Sequence, residues 1–343
     1  MSPIERDVLA RHATPKQPEI CRPSYGEFAL TIGPEMELPV HVKHAFEGFL
    51  NGDFIAAHRE TSQPHKTRFQ EITGLPSPIV RIDASSIVDA CHPEGSIYEV
   101  EARPSGLGIL TGILNAGQPV SEVFERVSRL TGQPVASAVL PSVRGVSGGH
   151  DRSIDTLMLA QAAHIPYLSD PFDMVSFHGH LWARGGKEDG DVIGQDLLSQ
   201  INSKSVAPLI DHGDKSYMVG LGMATLVNTA ADINFDQPCC VKPLHGSKGK
   251  DVQVWVPKPG GLKGSATRNQ VARAISAGPC ICQPFIPTGT IDQDGVAHHK
   301  LMRLFAVMND EGKYELIPSP YVTRPNLKIH GSSDAITGLI TFS

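Results

Sequence analysis

The sequence predicts a mixed α/β fold of the α+β kind, with a small parallel layer in the middle and a mainly antiparallel sheet at the end. Three observations point there. Strand-like and helical runs alternate between residues 137 and 211, the order of a parallel α/β layer. After residue 238, strand-like runs follow one another with a single helical stretch among them, the pattern of an antiparallel sheet carrying a helix. The chain has 343 residues, 40% of them hydrophobic, enough for a sizeable core spread over two or three lobes.

The elements follow in order. Residues 1–40 are rich in proline and polar side chains and carry no assignable pattern. Val42, Phe46, Phe49 and Leu50 recur at helical spacing through 41–50. Residues 79–83 (IVRID) read as a strand, His92-Pro93-Glu94-Gly95 as a turn, and 96–102 (SIYEVEA) as a second strand, so the two form a hairpin with a long loop. A helix is expected at 119–131. The middle layer runs strand 137–142, helix 151–164, strand 165–170, helix 192–202 and strand 206–211. A further helix, opened by Asp214, is expected over 214–229. Gly220-Leu221-Gly222 falls inside that pattern and lacks the third glycine of a dinucleotide fingerprint. Strands are then expected at 239–244, 251–257, 280–287, 300–308 and 313–320, with a helix at 267–277.

Composition excludes several classes. Thirty Lys and Arg against 36 Asp and Glu give a formal charge of -6, with no concentrated positive field for coating nucleic acid or anchoring to an anionic membrane. A local basic pocket for a phosphate remains compatible with that balance. No window approaches 18 apolar residues, so no membrane-spanning helix is expected. The opening residues MSPIERDVLARH contain no apolar signal core, and a cytoplasmic setting with reduced thiols is expected. Cys239, Cys240, Cys280 and Cys282 lie in apolar runs and read as small buried hydrophobes, since no C-x-x-C pair is present. The expected partners are small molecules. The sequence carries no signature of oligomeric state.

Four places carry chemistry. In Val241-Lys242-Pro243-Leu244-His245-Gly246-Ser247-Lys248-Gly249-Lys250 a strand ends in a lysine and two glycines spaced three apart make the turn. Glycine lets backbone N–H groups converge on an anion, and a flanking lysine supplies a point charge, which is chemistry for a nucleotide phosphate. The competing reading is an exposed basic hairpin tip. On the paired strands, Arg81 and Asp83 share a face by the period of two, and so do Glu99 and Glu101. Three carboxylates converging in a dry site demand cations, and magnesium with its oxygen ligands answers that demand. The competing reading is a solvated β face. Gln283-Pro284-Phe285 ends an apolar strand in the manner of a hinge that receives an adenine, or is ordinary buried strand. Lys215 stands at a predicted helix start, where a solvated surface lysine is the plain alternative. Arg144, His150 and Arg324 are further candidates for anion contacts.

These pieces, in this order, resemble the ATP-grasp ligases, specifically the circularly permuted group that includes the glutathionylspermidine synthase synthetase domain. The matching residues are Arg81-x-Asp83, Glu99-x-Glu101, Lys215, Lys242-Pro-x-x-Gly246-x-x-Gly249 and Gln283-x-Phe285, spanning residues 79 to 310. The resemblance implies an ATP-grasp fold in permuted order: 1–132 as the metal-binding half of the core, 133–213 as an α/β layer, and 214–343 as the ATP-binding part with the phosphate loop. It also implies ATP and Mg²⁺, two ions in the family pattern, held by Asp83, Glu99 and Glu101. Lys215 and Lys242 would contact phosphates, with Gly246, Ser247 and Gly249 covering them as a lid. Gln283 and Phe285 would flank the adenine. Arg81 would stabilise the transferred phosphoryl group, and Arg303 would contact a substrate carboxylate or a phosphate. The implied reaction joins a carboxylate to an amine through an acyl phosphate. Glu101 departs from the family, which has Asn there, and bears on the number of metals. Two other readings stay open: a nucleotide-binding relative without turnover, and a metal-dependent hydrolase that needs no ATP.

Overall fold

The structure, a computed structural model, describes residues 19–22, 26–29, 31–60, 72–101, 117–131, 137–138, 167–168, 215–244, 252–257, 265–293, 295–325 and 336–343. In chain order its elements begin with β1 (Glu19–Arg22), β2 (Gly26–Ala29), β3 (Thr31–Ile32), β4 (Met36–Leu38), α1 (Val40–Phe49) and α2 (Ile55–Glu60). Then come β5 (Ile79–Ser85), β6 (Ile97–Glu101), α3 (Gly117–Thr131), β7 (Ser137–Ala138), β8 (Tyr167–Leu168) and α4 (Ser216–Gly220). The last part holds β9 (Thr225–Val227), β10 (Cys239–Pro243), β11 (Gln253–Trp255), α5 (Arg268–Ala277), β12 (Cys280–Pro284) and β13 (Gly289–Gln293). It ends in β14 (Val296–Met308), β15 (Tyr314–Leu316), β16 (Ser319–Arg324) and β17 (Ile336–Phe342).

The architecture is mixed α/β with a large, mainly antiparallel sheet. Among the described residues nine strands form that sheet, with the main path β3-β17-β16-β14-β5-β6; β13 and β15 pair with β14, and β4 with β17. Its strands come from both ends of the chain. β14 is the hinge of this arrangement: seven residues, Leu301 to Val307, pair antiparallel with Ser85 to Ile79 of β5. β5 is buried along its whole length, and Ile79, Val80, Ile82 and Ala84 have no exposed surface. A strand covered on both faces must read as a near-continuous apolar run, so the charges of Arg81 and Asp83 within it require partners.

Helix α1 buries Val42, Phe46 and Phe49 at helical spacing, as the sequence predicts. The chain does not stop at residue 50. A π-helical turn, Leu50–Phe54, carries the buried stripe on through Leu50 and Phe54 into α2. Asn51 ties this turn to the sheet: its amide donates to Tyr314 O at 2.9 Å and its oxygen accepts from Tyr314 N at 2.7 Å.

A second, smaller sheet has the order β11-β10-β12-β9, antiparallel throughout. Helix α5 lays Val271 and Ile275 against Val241, Val227 and Cys280 of that sheet. Thr267 caps α5 in a reciprocal capping box with Gln270. Cys239 and Cys280 are buried as the apolar runs predict, whereas Cys240 and Cys282 are half-buried.

The helix expected over 214–229 is corrected. α4 ends at Gly220, Gly222 takes a left-handed φ of 68°, and Thr225–Val227 forms β9. Gly220 and Gly222 weaken helix propagation, and a residue with positive φ closes the turn into the strand. In the middle layer, β7 and β8 form a two-residue parallel pair at positions where strands were expected. The rest of that layer lies outside the described residues. Among the described residues, no helix is long and apolar enough to cross a membrane.

Candidate functional site

The site forms where three neighbouring strands present charge on one face. Arg303 of β14 pairs with Asp83 of β5, which pairs with Glu99 of β6; in the next row Arg81 pairs with Glu101. Residues at two-residue spacing share a face, so the pleat brings all five side chains together. Carboxylate oxygens of Asp83, Glu99 and Glu101 lie within 4.8 Å of one another. They are the one group of three or more His, Cys, Asp or Glu side chains, among the described residues, close enough to hold an ion.

Arg81 organises the cluster. Its Nε and Nη2 donate to the two oxygens of Asp83 at 2.6 and 2.9 Å, and its Nη2 lies 2.8 Å from Glu101 Oε1. Burial opposes its charge, but Asp83 and Glu101 more than offset that, so the guanidinium is held above its ordinary pKa. Burial, then repulsion from Arg81, holds Arg303 below its own ordinary value, against the pull of the three acids. Loss of water pushes the Glu101 carboxyl up; Arg81 pulls it down, and Asp83 and Glu99 push it up again, with a net upward direction.

The residues fit a hard divalent cation. Three carboxylates face two guanidinium groups, leaving one negative charge uncompensated when all are ionised, and the donors are all oxygen. The buried Nε of Arg303 has no hydrogen-bond partner among the described residues, as expected of a donor that faces an anionic ligand.

The lysine of the small sheet reaches the same hairpin. Lys242 Nζ donates to Tyr98 O at 2.7 Å and to Gln283 Oε1 at 2.9 Å, and Gln283 Nε2 donates to Ile97 O at 2.8 Å. Those carbonyls belong to a β-bulge. Asp83 pairs with Glu99 but Ala84 pairs with Ile97, so Tyr98 is the extra residue. The bulge re-aims β6 just before Glu99 and turns backbone oxygens toward the small sheet. Lys242 and Gln283 are both buried, on adjacent strands β10 and β12.

Lys215 is buried at the head of α4, and its N–H donates to Leu244 O at 3.0 Å where β10 ends. That bond sets it beside Leu244, the last described residue before the glycine segment in the sequence. Gly246, Ser247 and Gly249 themselves lie outside the described residues, as do Asp214, Arg144 and His150. Phe285 is half-buried, and its N–H is taken by Pro238 O at 3.1 Å. Arg324 pairs with His299 across β16 and β14, away from the acid rows. Tyr217 was not anticipated: its hydroxyl bonds to both backbone groups of Val100, between Glu99 and Glu101. Only its place next but one to Lys215 could have drawn attention to it.

No family model matches the sequence, and no curated protein matches it. Among solved structures the chain is similar to a glutathione synthetase-like effector from Globodera pallida in its apo form. That similarity covers 100% of this chain and 98% of the other, at 11% identity and a TM-score of 0.44. Nothing about chemistry transfers at that level of likeness.

Proposed function

We propose that the protein is an ATP-dependent ligase that joins a small carboxylic acid to an amine through an acyl phosphate. The observation that supports this best is the bond from Lys242 Nζ to Tyr98 O, which brings a phosphate-seeking lysine to the residue beside Glu99. A triphosphate with its cations needs that pairing of positive and negative groups.

In this reading Asp83, Glu99 and Glu101 hold Mg²⁺, which neutralises charge on the phosphates when bound. Lys215 and Lys242 bind phosphate oxygens, and the 246–249 segment covers them. The acid's carboxylate oxygen attacks the terminal phosphorus as the bond to ADP breaks. Arg81 and Arg303 offset the charge on the transferred group. The amine then attacks the acyl carbon, phosphate leaves with the C–O electron pair, and the nitrogen loses a proton to give an amide. Positioning and exclusion of water supply the catalysis, because an acyl phosphate is lost to hydrolysis in an open site. A histidine-assisted hydrolase is less well supported, since no histidine joins the acid group among the described residues.

The test is release of ADP and phosphate against a matrix of amino acids, other small acids and polyamines. Release that needs both an acid and an amine, and that falls to background in Lys242→Ala, is expected. Nucleotide binding with no release for any pair would make the protein a binding relative, and hydrolysis without ATP would make it a different enzyme.

A further inference from the structure

We infer that Tyr217 is a positioning residue for the carboxylate cluster, holding the backbone between Glu99 and Glu101 so that both acids face one point. The inference rests on the reading of that cluster as a divalent-cation site.

β6 ends the sheet order, and among the described residues no strand covers its outer edge. Backbone groups of an antiparallel strand point alternately toward and away from the partner. Val100 points away: its N–H donates to the Tyr217 oxygen at 2.7 Å, and its C=O accepts from the same hydroxyl at 3.2 Å. One phenol thus supplies, at one residue, what a further strand would supply. An edge strand without that support twists and frays, and the side chains of Glu99 and Glu101 would move with it. Ligating carboxylates held by such outer contacts bind metal more tightly than unsupported ones.

The rival role for Tyr217 is plain packing. Its ring is buried and meets Phe54 edge-on, with centroids 5.5 Å apart. If packing were its whole role, the hydroxyl would not matter to the cation.

The experiment is a Mn²⁺ titration of the nucleotide-free full chain, followed by electron paramagnetic resonance. Tyr217→Phe keeps the ring and is expected to weaken Mn²⁺ binding by roughly tenfold or more. Phe54→Leu loosens the same ring without touching the hydroxyl; it is expected to lower the melting temperature and leave Mn²⁺ affinity within about twofold. Unchanged affinity in Tyr217→Phe overturns the positioning role while the cation site stands. Failure of the wild type to bind Mn²⁺ overturns the cation site and the inference with it. A second readout survives poor folding of Tyr217→Phe: fluorotyrosine placed at 217 keeps the hydroxyl. Its ¹⁹F resonance is expected to shift on Mg²⁺ saturation, and not in Asp83→Asn. A resonance that Mg²⁺ leaves in place overturns the coupling.

Discussion

Replacing Lys242 by methionine keeps the side-chain stem and removes an ammonium group that makes two hydrogen bonds, a buried one to Gln283 Oε1 and a half-buried one to Tyr98 O. Gln283 Oε1 then loses a charged donor in a buried place, and Tyr98 O in a half-buried one. A buried unsatisfied group costs about 1–3 kcal/mol and a half-buried one less, about 0–2, so the variant should lose roughly 1–5 kcal/mol of folding stability, the retained stem limiting any cavity term. Urea unfolding reads this as a lower midpoint at unchanged slope. The second effect is on ligand linkage. In the wild type, ATP with Mg²⁺ at a hundred times its dissociation constant should add about 2.7 kcal/mol, and in Lys242→Met that increment should shrink toward zero. A stability change below about 0.5 kcal/mol would show that the ammonium does not hold the two sheets together. An undiminished ATP increment would remove Lys242 from the phosphate site.

Glu101 should make metal-free stability fall with rising pH. Its folded pKa is raised above the ordinary 4.5, so the folded chain binds the proton more tightly, and stability declines as pH climbs from about 4.5 through the higher folded value. Glu101→Gln should flatten that decline in melting temperature measured in EDTA; an unaltered pH profile would refute it. Gly338 pairs directly with Tyr321, and a Cβ there would overlap the ring, so Gly338→Ala should cost roughly 1–3 kcal/mol by urea unfolding. A neutral effect would show that the ring is free to swing aside. Phe46→Ala, at a fully buried position on α1, should cost roughly 3–5 kcal/mol by the same measurement, and under 1 kcal/mol would mean α1 is not part of the core.

The hairpin of the site was legible because its signal is local. Alternation in 79–83 and 96–102 with a Pro-Gly turn predicts the strands, and the period of two predicts that the acids share a face. The bulge at Tyr98 was not legible, since one extra residue leaves the alternation of Tyr98 and Val100 looking regular. Lys242 and Gln283 could be singled out by type, yet nothing in the sequence says they face each other and the carbonyls of residues 97 and 98. Such contacts depend on how two sheets dock, which local patterns do not encode. The helix expected over 214–229 failed because apolar spacing outweighed two glycines, and the error hid Tyr217 among helix-face residues. β17 escaped notice because Ile336–Phe342 mixes threonine and glycine with its apolar residues, and its glycine is filled by a tyrosine ring from the next strand. The pairing of β5 with β14, across more than half the chain, set the core and had no local signature.

Calorimetric titration with a non-hydrolysable ATP analogue and Mg²⁺ tests most directly whether Asp83 and Lys242 serve one triphosphate. The wild type should bind, and Asp83→Asn and Lys242→Met, remote from each other in sequence, should each lose that binding while remaining folded by circular dichroism. Binding by either folded variant as tight as that of the wild type, or no binding by the wild type, would contradict the account.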